Sequence, residues 1–350
     1  MHFWKGKDEY NNKLDFFSLL TYLYNDLISS GMTYKDFCLL SDENNDFKKK
    51  WSIFKNYWPK VDNTTYGRAI KIIMKDLFNI DELNEKNLEE INELLNEKNK
   101  SGYYKKILKD MCKIKTCILD LLEVERESYT SFSLIDNNFF SPVMRFDNFI
   151  NVNSVKMLNE IEEKENIAIH SLKNFEEILE KRFNFFLNSK AVGVKLAIAY
   201  FRTLNIDMVS KSDAEKAFIK ILNTKFDKLY KNFIEPEAIF FRERKPFQDY
   251  IIYKIIKFAE KYNLPVQVHT GIQAGSGNYL SNSDPELLIP VFMEFKDVNF
   301  DIFHIGFPFT DKLITISKVF PNVYIDFCWL ILFQKKFLKI HLRSVYRFCH

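Results

Sequence analysis

The pattern of apolar and polar positions falls into two regimes. In the first hundred residues apolar side chains recur every three to four positions, the period of an amphipathic helix. Phe16, Phe17, Leu20, Leu23, Tyr24 and Leu27 predict a helix over 14–28, closed by Ser30-Gly31. Similar spacing predicts helices over 47–57, 65–77 and 88–96. From residue 116 the pattern changes to short β-branched and aromatic runs, the signature of buried strands. They lie at 116–122, 140–147, 191–200, 265–271, 300–306 and 321–327. Helical stretches separate them at 175–187, 213–230, 247–262, from Asp284-Pro285-Glu286 onward, and 310–319. Ser212 is the expected N-cap of the second of these, with Glu215 as its capping-box partner. In the last hundred residues strands and helices alternate strictly, which predicts a parallel sheet with right-handed crossovers.

No Gly/Pro/Ser-rich linker interrupts the 350 residues, so one large α/β core is expected over 1–330. The Lys-, Asn- and Glu-rich stretch 41–104 reads as a helical subdomain inserted into it, with 84–99 as a solvated, low-complexity face. Hydrophobic residues at 47% and charged residues at 28% describe a globular chain and exclude a disordered one. The net charge is +3, but Lys335, Lys336, Lys339, Arg343 and Arg347 lie in the last sixteen residues, and without those five it is −2. Residues 331–350 are thus an atypical basic tail on a mildly acidic body, and nothing calls for nucleic acid. No apolar run approaches the ~18 residues of a membrane span and no signal-peptide pattern opens the chain, which points to a soluble cytoplasmic protein. The five cysteines are scattered and fit neither a disulfide framework nor a zinc knuckle.

The candidate chemistry lies in a repeated pattern. Val266-Gln267-Val268-His269-Thr270-Gly271 and Asp301-Ile302-Phe303-His304-Ile305-Gly306 each carry a histidine at the tip of a strand, one strand–helix unit apart. Adjacent parallel strands would bring both imidazoles to one point, either as core histidines satisfied by backbone or as ligands of a shared metal ion. Lys195 stands in the centre of an otherwise apolar strand, where burial demands a shifted pKa, a partner, a modification, or an escape to the barrel mouth.

These motifs, followed by Pro321-Asn322-Val323-Tyr324-Ile325-Asp326 and supported by Gly193-Val194-Lys195 and Ala199-Tyr200-Phe201-Arg202, resemble the amidohydrolase superfamily of metal-dependent barrel hydrolases. The likeness covers most of residues 1–329 and is nearest the branch of uronate-isomerase-like proteins, metal-dependent decarboxylases and amidohydrolase-like domains fused to glutamine synthetase. It implies a distorted (β/α)8 TIM barrel with His269 and His304 as the strand-five and strand-six metal ligands. Lys195 then occupies the strand-four place where some members carry a carboxylated, bridging lysine. His2 stands as the second member of an HxH pair. No strand-eight aspartate can be assigned after Trp329, so the barrel is expected to lack strand 8 and part of strand 1. An unclosed barrel has two edges, which leaves association into a homo-oligomer open.

The function implied is metal-dependent hydrolysis of a small polar, carboxylate-bearing molecule, with zinc or manganese as the divalent ion. Arg145, Tyr200 and Arg202 are the candidate substrate-binding residues, Arg being suited to planar anions, although rim ion pairs would use the same residues. The alternative is a catalytically impaired barrel that serves as a binding or interaction module.

Overall fold

The structure is a computed structural model that describes residues 14–120, 138–224 and 239–329, apart from positions 21, 43, 99, 101 and 276. Its centre is a six-stranded, wholly parallel sheet in sequence order: β1 (Cys117–Asp120), β2 (Phe140–Arg145), β3 (Val194–Leu196), β4 (Val266–Val268), β5 (Phe300–Ile302) and β6 (Val323–Ile325). Sequential parallel pairing with helices in the connections is the α/β arrangement of a (β/α) barrel. The strands carry apolar residues such as Val194, Leu196, Val266, Val268, Phe300 and Ile302, all buried. Between them lie Arg145, Lys195, Gln267, Asp301 and Tyr324, which are successive register partners from β2 to β6. One polar row therefore runs across the sheet between two apolar ones.

The outer layer is supplied by Val155–Glu165, Leu172–Asn188, Lys211–Leu222, Phe241–Lys261 and Thr310–Val319. Each presents an apolar stripe to the sheet; on the longest, Ile251, Ile252, Ile255, Ile256 and Ala259 are enclosed. A second cluster of buried side chains, from Phe16 to Leu95, is built by the N-terminal helices around Phe16, Trp51, Phe54, Ile70 and Ile91. Among the described residues no helix is long and apolar enough to cross a membrane.

Three local expectations are corrected. The helix over 14–28 is broken into a 3₁₀ turn at Phe16–Leu19 and a helix at Tyr24–Ser29. Asp15 caps the turn and pairs with Lys50, while Asn92 and Asn96 accept the N–H groups of Phe16 and Leu14. Two amides of the stretch read as a solvated face thus pin the chain's first described turn. The strand over 191–200 shrinks to Val194–Leu196 because Asp147 takes the Ala197 N–H at 2.9 Å, and the chain turns 3₁₀ at Ile198–Tyr200. The helix expected from 213 begins at Lys211, and Ser210 rather than Ser212 is its cap, accepting the Asp213 N–H.

Candidate functional site

The strands end where the charged side chains collect: Asp120 closes β1, Arg145 closes β2, His269 follows β4 and His304 follows β5 by two residues. This is the C-terminal face of the sheet, the end at which barrel enzymes assemble their sites. His269 leads directly into Thr270-Gly271, and that turn is clamped to the next strand's exit. Thr270 donates to the Phe303 carbonyl at 2.8 Å, and Ile272 N–H donates to the Phe307 carbonyl at 2.6 Å. Gly271 has φ +66°, and a Cβ there would run into the Phe307 carbonyl oxygen and the Gly306 backbone. Only glycine permits this approach. His304 and Ile305 themselves adopt left-handed backbone, with φ 65° and 50°, a conformation that costs energy in non-glycine residues and concentrates at functional sites.

The two turns bring the imidazoles into contact, His304 Nε2 lying 3.2 Å from His269 Nδ1 with both rings buried. The outer nitrogens decide what that contact is. His269 Nε2 is 2.9 Å from the Ile272 carbonyl, so it carries the proton and Nδ1 presents a lone pair. His304 Nδ1 has two partners in one residue, the Cys328 carbonyl at 3.2 Å and the Cys328 thiol at 3.0 Å. If the thiol donates, His304 Nε2–H donates to His269 and the pair is satisfied by itself. If Nδ1–H donates to the carbonyl, two lone pairs face each other and need a cation between them. Both outer bonds are then of the kind that orients metal-binding histidines. A separation of 3.2 Å also matches the edge of a tetrahedral zinc site, about 3.3 Å for metal–nitrogen bonds of about 2.0–2.1 Å. The pair therefore fits a divalent ion in one of its two tautomeric states. Among the described residues no three His, Cys, Asp or Glu side chains converge on one point.

The electrostatics keep the imidazoles neutral. Burial pushes His304 down to about 4, with Lys195 acting in the same direction. Burial, then His304 and Lys195, hold His269 well below the usual histidine range. Neutral rings are what a metal requires. Lys195 is itself enclosed, and burial lowers its amine to about 8 against the opposing pull of Asp120. Its Nζ lies 2.8 Å from the centre of the Phe303 ring and has no hydrogen-bond partner among the described residues. The negative face of a ring favours an ammonium and disfavours the carboxylated lysine that the family resemblance allows. Asp301, across Gln267 in the same row, has its carboxyl pushed up by burial and then by Asp326.

The other sequence candidates are divided by the structure. Tyr200 lies at the site: its ring centre is 4.7 Å from that of His269, and its hydroxyl accepts the Ala274 N–H at 3.1 Å. Arg145 is on the same face but is engaged, its Nε donating to Asp147 at 2.8 Å and Nη1 reaching Asp120 at 3.3 Å. Arg202 is enclosed and turned to Asp249 at 2.6 Å and to the carbonyls of Thr203 and Asn205. It anchors the 203–207 loop to the Phe241–Lys261 helix and is not gathered with the histidines. His2 lies outside the described residues, as does the tail from 330 with His341 and His350.

Four residues at the site were not singled out from sequence. Trp329 stacks on His304, with ring centres 4.4 Å apart and planes at 15°, and stands edge-on to His269 at 6.1 Å. Tyr22 meets Trp329 edge-on at 5.8 Å and stacks on Tyr66 at 5.4 Å. Cys328 holds the outer nitrogen of His304. Tyr22 lies off the apolar stripe of its segment, which was the one available signal.

A family model described as Amidohydrolase matches residues 234–345, the stretch that carries both histidines. Over 140 residues the chain is 26% identical to Protein fluG of Emericella nidulans, a match that covers 39% of this chain and 15% of that protein. The chain therefore spans a small part of that relative. Among solved structures, uronate isomerase from Thermotoga maritima superposes with a TM-score of 0.68 at 16% identity, over 99% of this chain and 75% of that one. A Lactobacillus casei protein assigned as a metal-dependent hydrolase gives a TM-score of 0.55 at 15% identity, over 93% and 77%. At these identities the two superpositions speak for the fold.

Proposed function

We propose that the chain is an amidohydrolase-superfamily barrel that holds one divalent metal ion, zinc or manganese, between His269 and His304 and hydrolyses a small carboxylate-bearing molecule. The observation that carries the reading is the pair of facing imidazole nitrogens, 3.2 Å apart, each with its outer nitrogen on a backbone carbonyl. A bound divalent ion supplies polarisation of a carbonyl or phosphoryl oxygen and makes water acidic enough to attack near neutral pH. The remaining roles fall to the chain. Lys195 Nζ, poised near neutrality, exchanges a proton or offers a positive charge to the substrate. Tyr200, whose oxygen accepts from Ala274, keeps its own O–H for a ligand oxygen. Arg145, fixed by Asp120 and Asp147, would meet an anionic substrate only by exchanging one of those carboxylates for it. Trp329 covers one face of His304 and excludes water there.

The test is the metal content of the purified chain, followed by hydrolysis assays on simple esters, lactones and amides after loading with zinc or manganese. One equivalent of metal is expected, with about a tenfold or greater loss of affinity in His269→Ala and in His304→Ala. Wild-type protein that retains metal no better than either variant would contradict the proposal. Stoichiometric metal without turnover would remove the hydrolase claim and leave a metal-holding binding module.

A further inference from the structure

Two aromatic side chains from the neighbouring strand exits lie against the histidine pair, and two more from the N-terminal helical layer continue from one of them. Tyr200 and Trp329 flank His269, at 4.7 and 6.1 Å between ring centres. Trp329 is joined to the N-terminal helical layer through Tyr22, and Tyr22 to Tyr66. These ring contacts carry the helical layer to the edge of the site, and the charges there act on both tyrosines. Burial and then Asp120 raise the Tyr22 phenol; burial and then Tyr22, Asp26 and Tyr200 raise that of Tyr66. Both tyrosines keep part of their surface exposed, Tyr66 while packing on the core of its own layer, whereas Leu20, Leu23 and Ile70 are enclosed. Trp329 sits in left-handed backbone with φ 66°, an unfavourable conformation for a bulky residue, in the place where its indole lies on His304.

Partly exposed aromatic rings thus border the histidine pair on the side of the helical layer, with the enclosed Lys195 and the ion-paired Arg145 on the same face of the sheet. Flat rings stack on such walls in offset or edge-to-face geometry, and a carboxylate is drawn to the cations. We propose that Tyr22, Tyr66 and Trp329 form the specificity wall of the site, and that it selects a planar, conjugated or aromatic carboxylate over a polyhydroxylated one. This rests on the functional reading above for the location of the site, but it concerns binding, which is measurable apart from metal retention and turnover.

The experiment is calorimetric titration of the full chain, metal-loaded and metal-free, with benzoate, cyclohexanecarboxylate and glucuronate, which separates flatness from apolarity and from polyol recognition. Benzoate is expected to bind about tenfold tighter than the other two, the scale of one aromatic pair. Tyr22→Ala and Tyr66→Ala should each remove most of that preference, whereas Tyr22→Phe should keep it. Thermal unfolding of each variant checks that the helical layer is intact, and Trp329→Phe supplies a variant outside that layer, in which a weakened preference is expected. Glucuronate binding as tightly as benzoate, no detectable benzoate binding, or an unchanged preference in the folded alanine variants would overturn the proposal. Loss of metal binding with the benzoate preference intact would overturn only the functional reading.

Discussion

Lys195 is the residue at which stability and function pull apart most plainly. Its amine is fully enclosed and without a hydrogen-bond partner among the described residues, and its pKa falls from 10.5 to about 8. The folded value is the lower one, so the unfolded chain holds the proton more tightly. Below pH 8 the penalty is fully present, and stability recovers as pH rises from 8 to 10.5. Lys195→Met should therefore stabilise the protein at pH 7, by on the order of 1–3 kcal/mol, while weakening ligand binding; denaturant titration measures the first and calorimetry the second. Equal or lower stability would mean the ammonium has a partner in solution. His304 behaves in the same sense at lower pH, being about 4 in the fold against 6.5 unfolded. In metal-free protein its neutral ring costs nothing above pH 6.5, and stability should decline as pH drops from 6.5 to 4. His304→Gln should flatten that decline, and an unchanged slope would argue against a buried, neutral His304. The lysine and both histidines were legible because each interrupts or ends an apolar run. Tyr22, Tyr66 and Trp329 were not, because their significance lies in an encounter between positions far apart in the chain.

The elements that carry the site are short, three residues in each of β3 to β6, and what positions the side chains is the turn after each strand. The His-Thr-Gly turn shows this best. Gly271 in left-handed backbone lets the β4 exit press against the β5 exit, and that contact sets the distance between the imidazoles. Gly271→Ala should cost at least about 2 kcal/mol and lower metal affinity with it, since a Cβ meets immovable backbone rather than a flexible side chain. Chemical denaturation and metal titration check both effects; a tolerated alanine would show that the turn relaxes without moving the histidines. The glycine was visible in the repeated motif, but the reason for it is a carbonyl 36 positions away. The same limit explains the other corrections. Periodicity located the strand at 191–200, but only the fold reveals that Asp147 takes the Ala197 N–H and ends it at Leu196.

At the scale of the molecule, a parallel sheet carries a polar row across its middle and the histidine turns at its C-terminal end, and a helical layer with its own core reaches that end through Tyr22 and Trp329. The order of strands was readable from the alternation of short apolar runs and helices. The approach of the helical layer to the barrel mouth was not, since no local pattern encodes it. The chemistry of the site turns on whether the facing histidine nitrogens hold a cation, and ¹⁵N NMR of histidine-labelled protein reads this directly. His269 should carry its proton on Nε2 throughout. His304 should change on adding one equivalent of zinc, its proton moving to Nδ1 and the Cys328 carbonyl, with His304 Nε2 and His269 Nδ1 both showing the shifts of metal-bound nitrogens. Spectra that keep a proton between the two rings and do not respond to excess zinc would show a self-satisfied histidine pair that holds no metal.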